Sequence, residues 1–536
     1  MPVAFRLCKG RGREGEETKR EVHAMLQRIE GDGGFTTARK RFVPPPSAFA
    51  FSDSVAIGCD QKILRQEAAD APSSPLSTLF KWVSQKVQAG LVSRQEVVSA
   101  VPVAALGVER CHSVLDMCAS PGSKTLQALE LVGQASGEDA AKSTQEGGAP
   151  RRLPSSTGYV IANELNATRA HILAHRCASL KFSCAHLAVT QHAAQKFPGP
   201  LNHFDRIICD VPCSGDGAIR KFPEKWRDWA PHIGRMLHAL QLQIALRAAA
   251  LLRVGGAMAY STCSFNPLEN EAVVAALLER TGGAIEVEQF PVLHGLEVRP
   301  GLETWKVLDG DGCVLTAYCD VKVQVPKRQQ RRYRNSMWPP AQGSSTAKSL
   351  LRCARLYPHL KNTGGFFVVI LRKKAMWPLP KPSLRPMPVA CRAKLHHCSD
   401  TVLEELKPIL CALIMEAEVK EAAFQLLMRG EHKVYACATE LSRLLLSNGK
   451  SRPLAAVAVG VCVAMLTDGA WQSTEVAVEI AAACARTSNR KAVAKLLELQ
   501  RCVACKVDLP ADLFTRKMLT RPPTKRRCRN CTELDV

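Results

Sequence analysis

Between Ser113 and Leu371 short apolar runs alternate with longer amphipathic ones, and this alternation restricts the fold more than any other feature of the chain. SVLDM, GYVIANE, AHLAV, DRIICDV and GGAMAYST read as strands. SKTLQALELV, ATRAHILAHRCASL, MLHALQLQIALRAAALL and NPLENEAVVAALLER read as helices. A strand that feeds a helix and then another strand folds back as a crossover onto a parallel sheet. The expected fold class is therefore α/β, a Rossmann-like, doubly wound and mostly parallel sheet, in a domain spanning 104–375. The wholly apolar GGFFVVIL (364–371) predicts a further strand that closes the sheet. The Gly-, Ser-, Ala- and Pro-rich segment 133–158 reads as a low-complexity surface insertion.

At 536 residues the chain exceeds one ordinary domain. Residues 1–103 form a mixed α/β region in which Ser93, Arg94, Gln95 and Glu96 read as a capping box, opening a helix that ends before Pro102. A Pro-rich linker (376–400) precedes Ala/Leu-rich sequence, which predicts a helical extension over 401–536. Within it, 453–466 (PLAAVAVGVCVAML) reads as a buried helix too short to span a bilayer, so no membrane association is expected.

The formal charge of +23 favours a polyanionic partner, most simply nucleic acid, over a merely solvated basic surface. The run KRQQRRYR (327–334) is either a solvated loop or a phosphate contact. The 22 cysteines follow no apolar leader, which predicts reduced thiols in the nucleus or cytosol. Nothing in the sequence indicates an obligate protein partner.

Two places carry chemistry. Asp116 to Thr125 (DMCASPGSKT) follows the first strand and opens the first helix, where small residues and free amides admit a nucleotide-like or cofactor ligand. Glu164, ending the second strand, stands where an acid takes up ribose hydroxyls. Asp210 and Cys213 lie at the carboxyl end of one strand, and Cys263 at the end of the next, so two thiols and a carboxylate converge on the same crevice. Such a set suits cytosine. A thiolate added to carbon 6 makes carbon 5 nucleophilic, an acid near ring nitrogen 3 supports the addition, and a base must afterwards remove the carbon-5 proton.

DMCASPGSKT, ANELNATRAHIL, CDVPCSGDGAIRK, YSTCSFNPLENEAVV and NTGGFFVVIL resemble, in that order, the motifs of the Sun-type (Nop/Sun) RNA cytosine-5 methyltransferases. SRQEVVSAVPVAAL and LLRCARLYPHLKNTGGFF are similar to the eukaryotic multisite tRNA branch, and PVAFRL resembles the family's PxxFR element. The resemblance covers about 83–375 and implies a tRNA cytosine-5 methyltransferase using S-adenosylmethionine, with rRNA or mRNA as alternative substrates. It places the cofactor on Cys118, Ala119, Ser120, Pro121, Gly122, Ser123 and Lys124, with Glu164 on its ribose and Asp210 near its methionine end and the target base. Cys263 is then the nucleophile and Cys213 the thiol that assists release, while residues 1–103 position RNA.

Three departures stand out. Ala193 occupies the position of an acid that contacts adenine, Gln191 being the nearest substitute. Ser52 to Gln66 lacks expected aromatics, and the chain begins almost at PVAFRL, which implies a shortened N-terminus. With these departures a catalytically weak RNA-binding scaffold is the alternative from another class. In the tail, Cys502, Cys505, Cys528 and Cys531 form two CxxC pairs beside a basic run, a pattern expected of structural zinc or of incidental thiols.

Overall fold

A computed structural model describes residues 1–8, 13–30, 33–132, 158–178, 185–377, 395–399, 401–403, 406, 424–429, 433–446, 456–459, 461–467, 470–473, 500–501 and 508–509. The chain divides into two compact units: Met1–Val389 with Asn448–Ala458, and Ala390–Ser447 with Val459–Val536.

In the first unit the predicted alternation becomes one twisted sheet. Its parallel strands run, in spatial order, Leu187–Thr190, Tyr159–Asn163, Ser113–Asp116, Phe204–Asp210 and Leu252–Thr262. Phe366–Lys373 joins Leu252–Thr262 antiparallel, the further strand that GGFFVVIL predicts, but it does not close the sheet. Ala354–Leu356 and Arg299–Pro300 extend the sheet beyond it. Every residue of Ser113–Asp116, Tyr159–Asn163 and Leu187–Thr190 is buried. This is why these strands read as continuous apolar runs: helices cover both faces. Leu126, Leu129, Ala170 and Leu173, from helices Ser123–Val132 and Ala167–Cys177, pack with Val114, Val160, Ile208 and Ile370 in the shared core.

The strand order fixes where a ligand belongs. From Ser113–Asp116 the chain steps outward to Tyr159–Asn163 and Leu187–Thr190, then returns to the other side for Phe204–Asp210 and Leu252–Thr262. The crevice at such a reversal opens at the carboxyl ends of the two central strands, here Asp116 and Asp210.

The N-terminal region is an antiparallel sheet ordered Ser47–Phe49, Ser54–Ile57, Val3–Leu7, Val92–Ser93. Its core joins Phe5 and Leu7 to Leu26, Ile29, Leu76, Leu79 and Trp82 from the covering helices. The helix after it differs from expectation. Val97–Leu106 runs through Pro102, and the capping box does not form: Glu96 is the N-cap without a side-chain cap. Its carboxylate instead accepts from the Gly364 amide at 2.7 Å, and the buried Ser93 hydroxyl has no partner. Val98, Val101, Val103 and Leu106 lie in the core of the central sheet, and this burial outweighs the one backbone bond that proline removes.

Arg6, the arginine of PVAFRL, joins this region to the helix behind the cofactor-type loop. Its guanidinium donates to both carboxylate oxygens of Glu130 at 2.6 and 2.7 Å, and to Gln95 at 3.0 Å. Both charged side chains are about 5% exposed or less. Arg6→Met should destabilise the fold by about 3–5 kcal/mol, because it strands a buried carboxylate. Arg6→Met combined with Glu130→Met should recover much of that loss. Urea denaturation of the four-member cycle measures this, and additive losses would contradict it.

The second unit corrects the helical reading of 401–536. Leu395–His397, Phe424–Arg429, Lys433–Ala438, Val461–Thr467 and Ala470–Ser473 form an antiparallel sheet, with a helix at Thr439–Leu446. The run 453–466 contributes strands Ala456–Val459 and Val461–Thr467 where a buried helix was expected. Val457, Val459, Val461 and Val463 recur with a period of two, and β-branched residues favour extended backbone over helix. The insertion at 133–157 and all four cysteines of the zinc reading lie outside the described residues. Among those described, no helix is long and apolar enough to cross a membrane.

Candidate active site

Strand register brings the two thiols together. Asp210 pairs with Ser261 across the parallel strands, so Cys213 and Cys263 leave adjacent strand ends side by side. Their sulfurs are 3.1 Å apart. Each is followed by a serine, and both serines reach the same buried carboxylate. Glu269 accepts from Ser214 Oγ at 2.5 Å, Ser264 Oγ at 2.8 Å and the Ser214 amide at 2.8 Å. Gln241 donates to Glu269 and to the Pro212 carbonyl. The repeated Cys-Ser pairs are thus two loops clamped onto one acid. Sequence reading takes Asn266, Pro267 and Glu269 as a helix cap; the helix instead begins at Glu271 after Asn270, and Glu269 holds the loops.

Backbone packing around the pair is close. The Gly217 amide donates to the Cys263 carbonyl and the Gly365 amide to the Gly217 carbonyl, both at 2.9 Å. A Cβ added to Gly217 would lie 2.5 Å from the Gly365 carbonyl and 2.9 Å from that of Cys263. Only glycine fits there.

The two thiols are electrostatically unequal. Cys263 is held below the ordinary thiol range, first by the hydrogen bond from Cys213 and then by the Lys225 and Lys124 charges, against the opposing effects of burial and Asp210. Cys213 is pushed well up, first by serving as that donor, then by burial and the nearby Glu269 and Asp210 carboxylates. Burial also pushes Cys118 and Cys209 up. Of these four thiols, Cys263 alone is shifted toward the thiolate form. Its alkylation by iodoacetamide should therefore persist to lower pH than that of an ordinary thiol, and slow as pH falls through its depressed pKa. Cys213→Ala removes the donor and should move that fall to higher pH. Peptide mapping across a pH series measures this, and an unmoved profile would contradict the assignment.

Asp210 lies beside the pair. Its carboxylate accepts from Lys124 Nζ and from Ser261 Oγ, each at 2.7 Å. Lys124 is itself buried, donates to Ser99 Oγ at 3.0 Å, and sits 5.1 Å from the centre of the Phe366 ring.

The Cys118–Lys124 loop crosses the opening of the crevice. Its backbone is fixed by the Met117 amide on the Ile208 carbonyl and the Ala119 amide on the Asn163 carbonyl. Gly122 has φ +102°, and a Cβ there would lie 2.7 Å from Leu173 Cδ1, so this turn requires glycine. Glu164 is buried at the end of its strand: one oxygen takes the Asn166 amide at 2.9 Å, and the other is 3.5 Å from Arg169. Asp116 beneath the loop has one oxygen on Thr125 Oγ1 and the other buried without a partner, and burial raises its pKa to about 7. Ala193 is buried at the head of a short 3-10 turn, and the Gln191 amide donates to the Leu165 carbonyl.

Residues 151–372, which contain both thiols, Glu164 and Asp210, match the family described as 16S rRNA methyltransferase RsmB/F. Over these residues the chain is similar to the RsmB/F methyltransferases. The chain is 36% identical over 403 residues to the multisite-specific tRNA:(cytosine-C(5))-methyltransferase trm4b of Schizosaccharomyces pombe, covering 70% of this chain and 54% of that one. It is 40% identical over 390 residues to the multisite-specific tRNA:(cytosine-C(5))-methyltransferase of Saccharomyces cerevisiae, covering 70% and 51%. With the tRNA (cytosine(34)-C(5))-methyltransferase of Drosophila melanogaster the identity is 36% over 314 residues, covering 56% and 39%. The chain thus spans about half the length, or less, of these curated relatives.

The structure gathers Cys213, Cys263, Asp210 and Lys124 into one group, with Glu164 and the Cys118–Lys124 loop along the same sheet edge. Sequence reading gave Glu269 only the role of a helix cap, and none to Lys225 or the free oxygen of Asp116. Glu269 is separated from Ser214 by 55 positions, and no local pattern carries such a contact. Lys225 had a weak signal, a lysine among aromatics just after the first thiol loop.

Proposed function

We propose that the chain is an S-adenosylmethionine-dependent RNA methyltransferase that methylates carbon 5 of cytosine, with tRNA as the substrate class. The observation that carries this reading is the pair of sulfurs 3.1 Å apart, beside an aspartate paired with a buried lysine. The names of the three relatives above support tRNA, while the family's own description, 16S rRNA methyltransferase, makes rRNA the second substrate class.

The residues fit the cofactor. The Cys118–Lys124 loop follows the carboxyl end of a central strand, and Glu164 at the end of the next offers a buried carboxylate suited to ribose hydroxyls. The unpartnered oxygen of Asp116 leaves an acceptor beneath the loop. When bound, S-adenosylmethionine supplies the methyl group. Cys263 adds to carbon 6 of the cytosine, ring nitrogen 3 takes up a proton as the adduct forms, and the Asp210–Lys124 pair is assigned to support that addition. After methylation a base must take the carbon-5 proton, whose electron pair re-forms the carbon 5–carbon 6 double bond as the carbon–sulfur pair returns to Cys263; Cys213, beside that sulfur, is assigned to assist this release.

The test is incorporation of radiolabelled methyl groups from S-adenosylmethionine into unmodified tRNA, with rRNA and mRNA as competitors, followed by nucleoside analysis. Labelled 5-methylcytidine in tRNA is expected. Cofactor binding without transfer to any RNA would favour a scaffold, and label at another base would overturn the cytosine reading.

A further inference from the structure

Outside the thiol site, Arg235, Met236, Ala239, Arg331, Arg332 and Arg334 line a pocket of about 350 Å³. Four guanidinium groups around one small volume repel one another unless something negative lies between them. The described residues supply nothing negative. Arg235 donates to the Leu308 and Asp309 carbonyls and to the Tyr333 hydroxyl; Arg334 donates to the Arg331 and Tyr333 carbonyls. All of these acceptors are neutral, and among the described residues none of the four arginines is paired with a carboxylate. Even the nearby Asp309 carboxylate is turned to its own loop, accepting the Asp311 and Cys313 amides.

Arg235 separates this pocket from an ordinary solvated basic loop. It comes from helix Pro231–Leu251, is only 7% exposed, and its Nε is buried without a partner. A buried charged donor left unused is costly unless a ligand takes it. The Tyr333 ring, 5.0 Å from its guanidinium carbon, backs the planar group. A planar fork of donors matches phosphate oxygens better than an ammonium does. The pocket is also tied to the thiol loops. Gly234, next to Arg235, packs so closely on Asn266 and Glu269 that an added Cβ would lie 2.2 and 2.8 Å from their side chains.

We propose that this pocket seats a backbone phosphate of the RNA and sets the register of the strand over the thiol pair; this rests on the reading of the protein as an RNA enzyme. The test compares the full chain with Arg331→Ala/Arg334→Ala and with Lys327→Ala/Arg328→Ala. The second variant removes the same charge from the same loop but outside the pocket lining. Binding of a cytosine-containing stem–loop RNA is measured against sodium chloride, with melting temperatures to establish folding. Losing one phosphate contact should lower the slope of log affinity against log salt by about 0.7–0.9 in the pocket variant alone. Equal slopes in the two variants, or an unchanged slope in the pocket variant, would overturn the proposal. Inorganic phosphate that stabilises the wild type but not the pocket variant, with RNA slopes unchanged, would make this a free-anion site and also overturn it. Binding needs no methyl transfer, so a wild type that binds RNA without methylating it removes the proposed function and leaves the pocket standing. A wild type that does not bind RNA removes both.

Discussion

Replacing Cys263 with alanine should reduce methyl transfer by roughly 10,000-fold or more while leaving cofactor and RNA affinity within about twofold of wild type. The size follows from what the sulfur does. Without an adduct at carbon 6, carbon 5 of cytosine is not nucleophilic, and no neighbouring thiol is poised to replace it. Cys213, at 3.1 Å, is pushed up by its hydrogen bond to Cys263, by burial and by the nearby carboxylates, whereas the same hydrogen bond pulls Cys263 down. Cys263→Ser should be as inactive, because a hydroxyl of the same shape is not ionised there. That variant also guards against misreading a packing defect as lost chemistry. Equilibrium binding with single-turnover methylation separates the two, and a serine variant retaining even a tenth of the activity would contradict a thiolate mechanism.

Asp210→Asn should show the second largest loss, about 100- to 10,000-fold in turnover, with cofactor affinity largely kept. Asparagine preserves the size and the hydrogen bond with Ser261, but it removes the charge that faces Lys124 at 2.7 Å. Lys124→Ala disturbs the same pair from the other side and also alters the first turn of the helix behind the cofactor loop. It should therefore weaken cofactor binding as well as turnover. Calorimetric titration with S-adenosylmethionine, alongside single-turnover rates, distinguishes the two patterns. Normal methylation by Asp210→Asn would leave the carboxylate without a chemical role.

Much of this site is legible in the sequence because parallel-sheet topology does the assembling. Strands buried on both faces read as unbroken apolar runs, and a residue just past the end of such a run lands in the crevice whatever lies between. Cys213, Cys263, Asp210 and the Cys118–Lys124 loop were readable for that reason. Glu269 was not, because a local cap pattern competed with a contact 55 positions away and tertiary packing won. Pro102 was read as a helix end for the same reason: its local penalty was visible and the burial of Val98, Val101 and Val103 was not. In 453–466, Ala and Leu content outweighed the alternating valines of 457–463, and the period of two was the better guide.

The measurement that tests the account most directly is a denaturing gel of Cys213→Ala and Cys263→Ala, each incubated with tRNA and S-adenosylmethionine. Cys213→Ala keeps the attacking thiolate but lacks the group placed to assist collapse of the adduct. It should accumulate a slow, denaturant-resistant protein–RNA band, absent from Cys263→Ala and from the double variant. A band formed by Cys263→Ala in place of Cys213→Ala would reverse the two roles, and methylation unaffected by either substitution would reduce both thiols to packing residues.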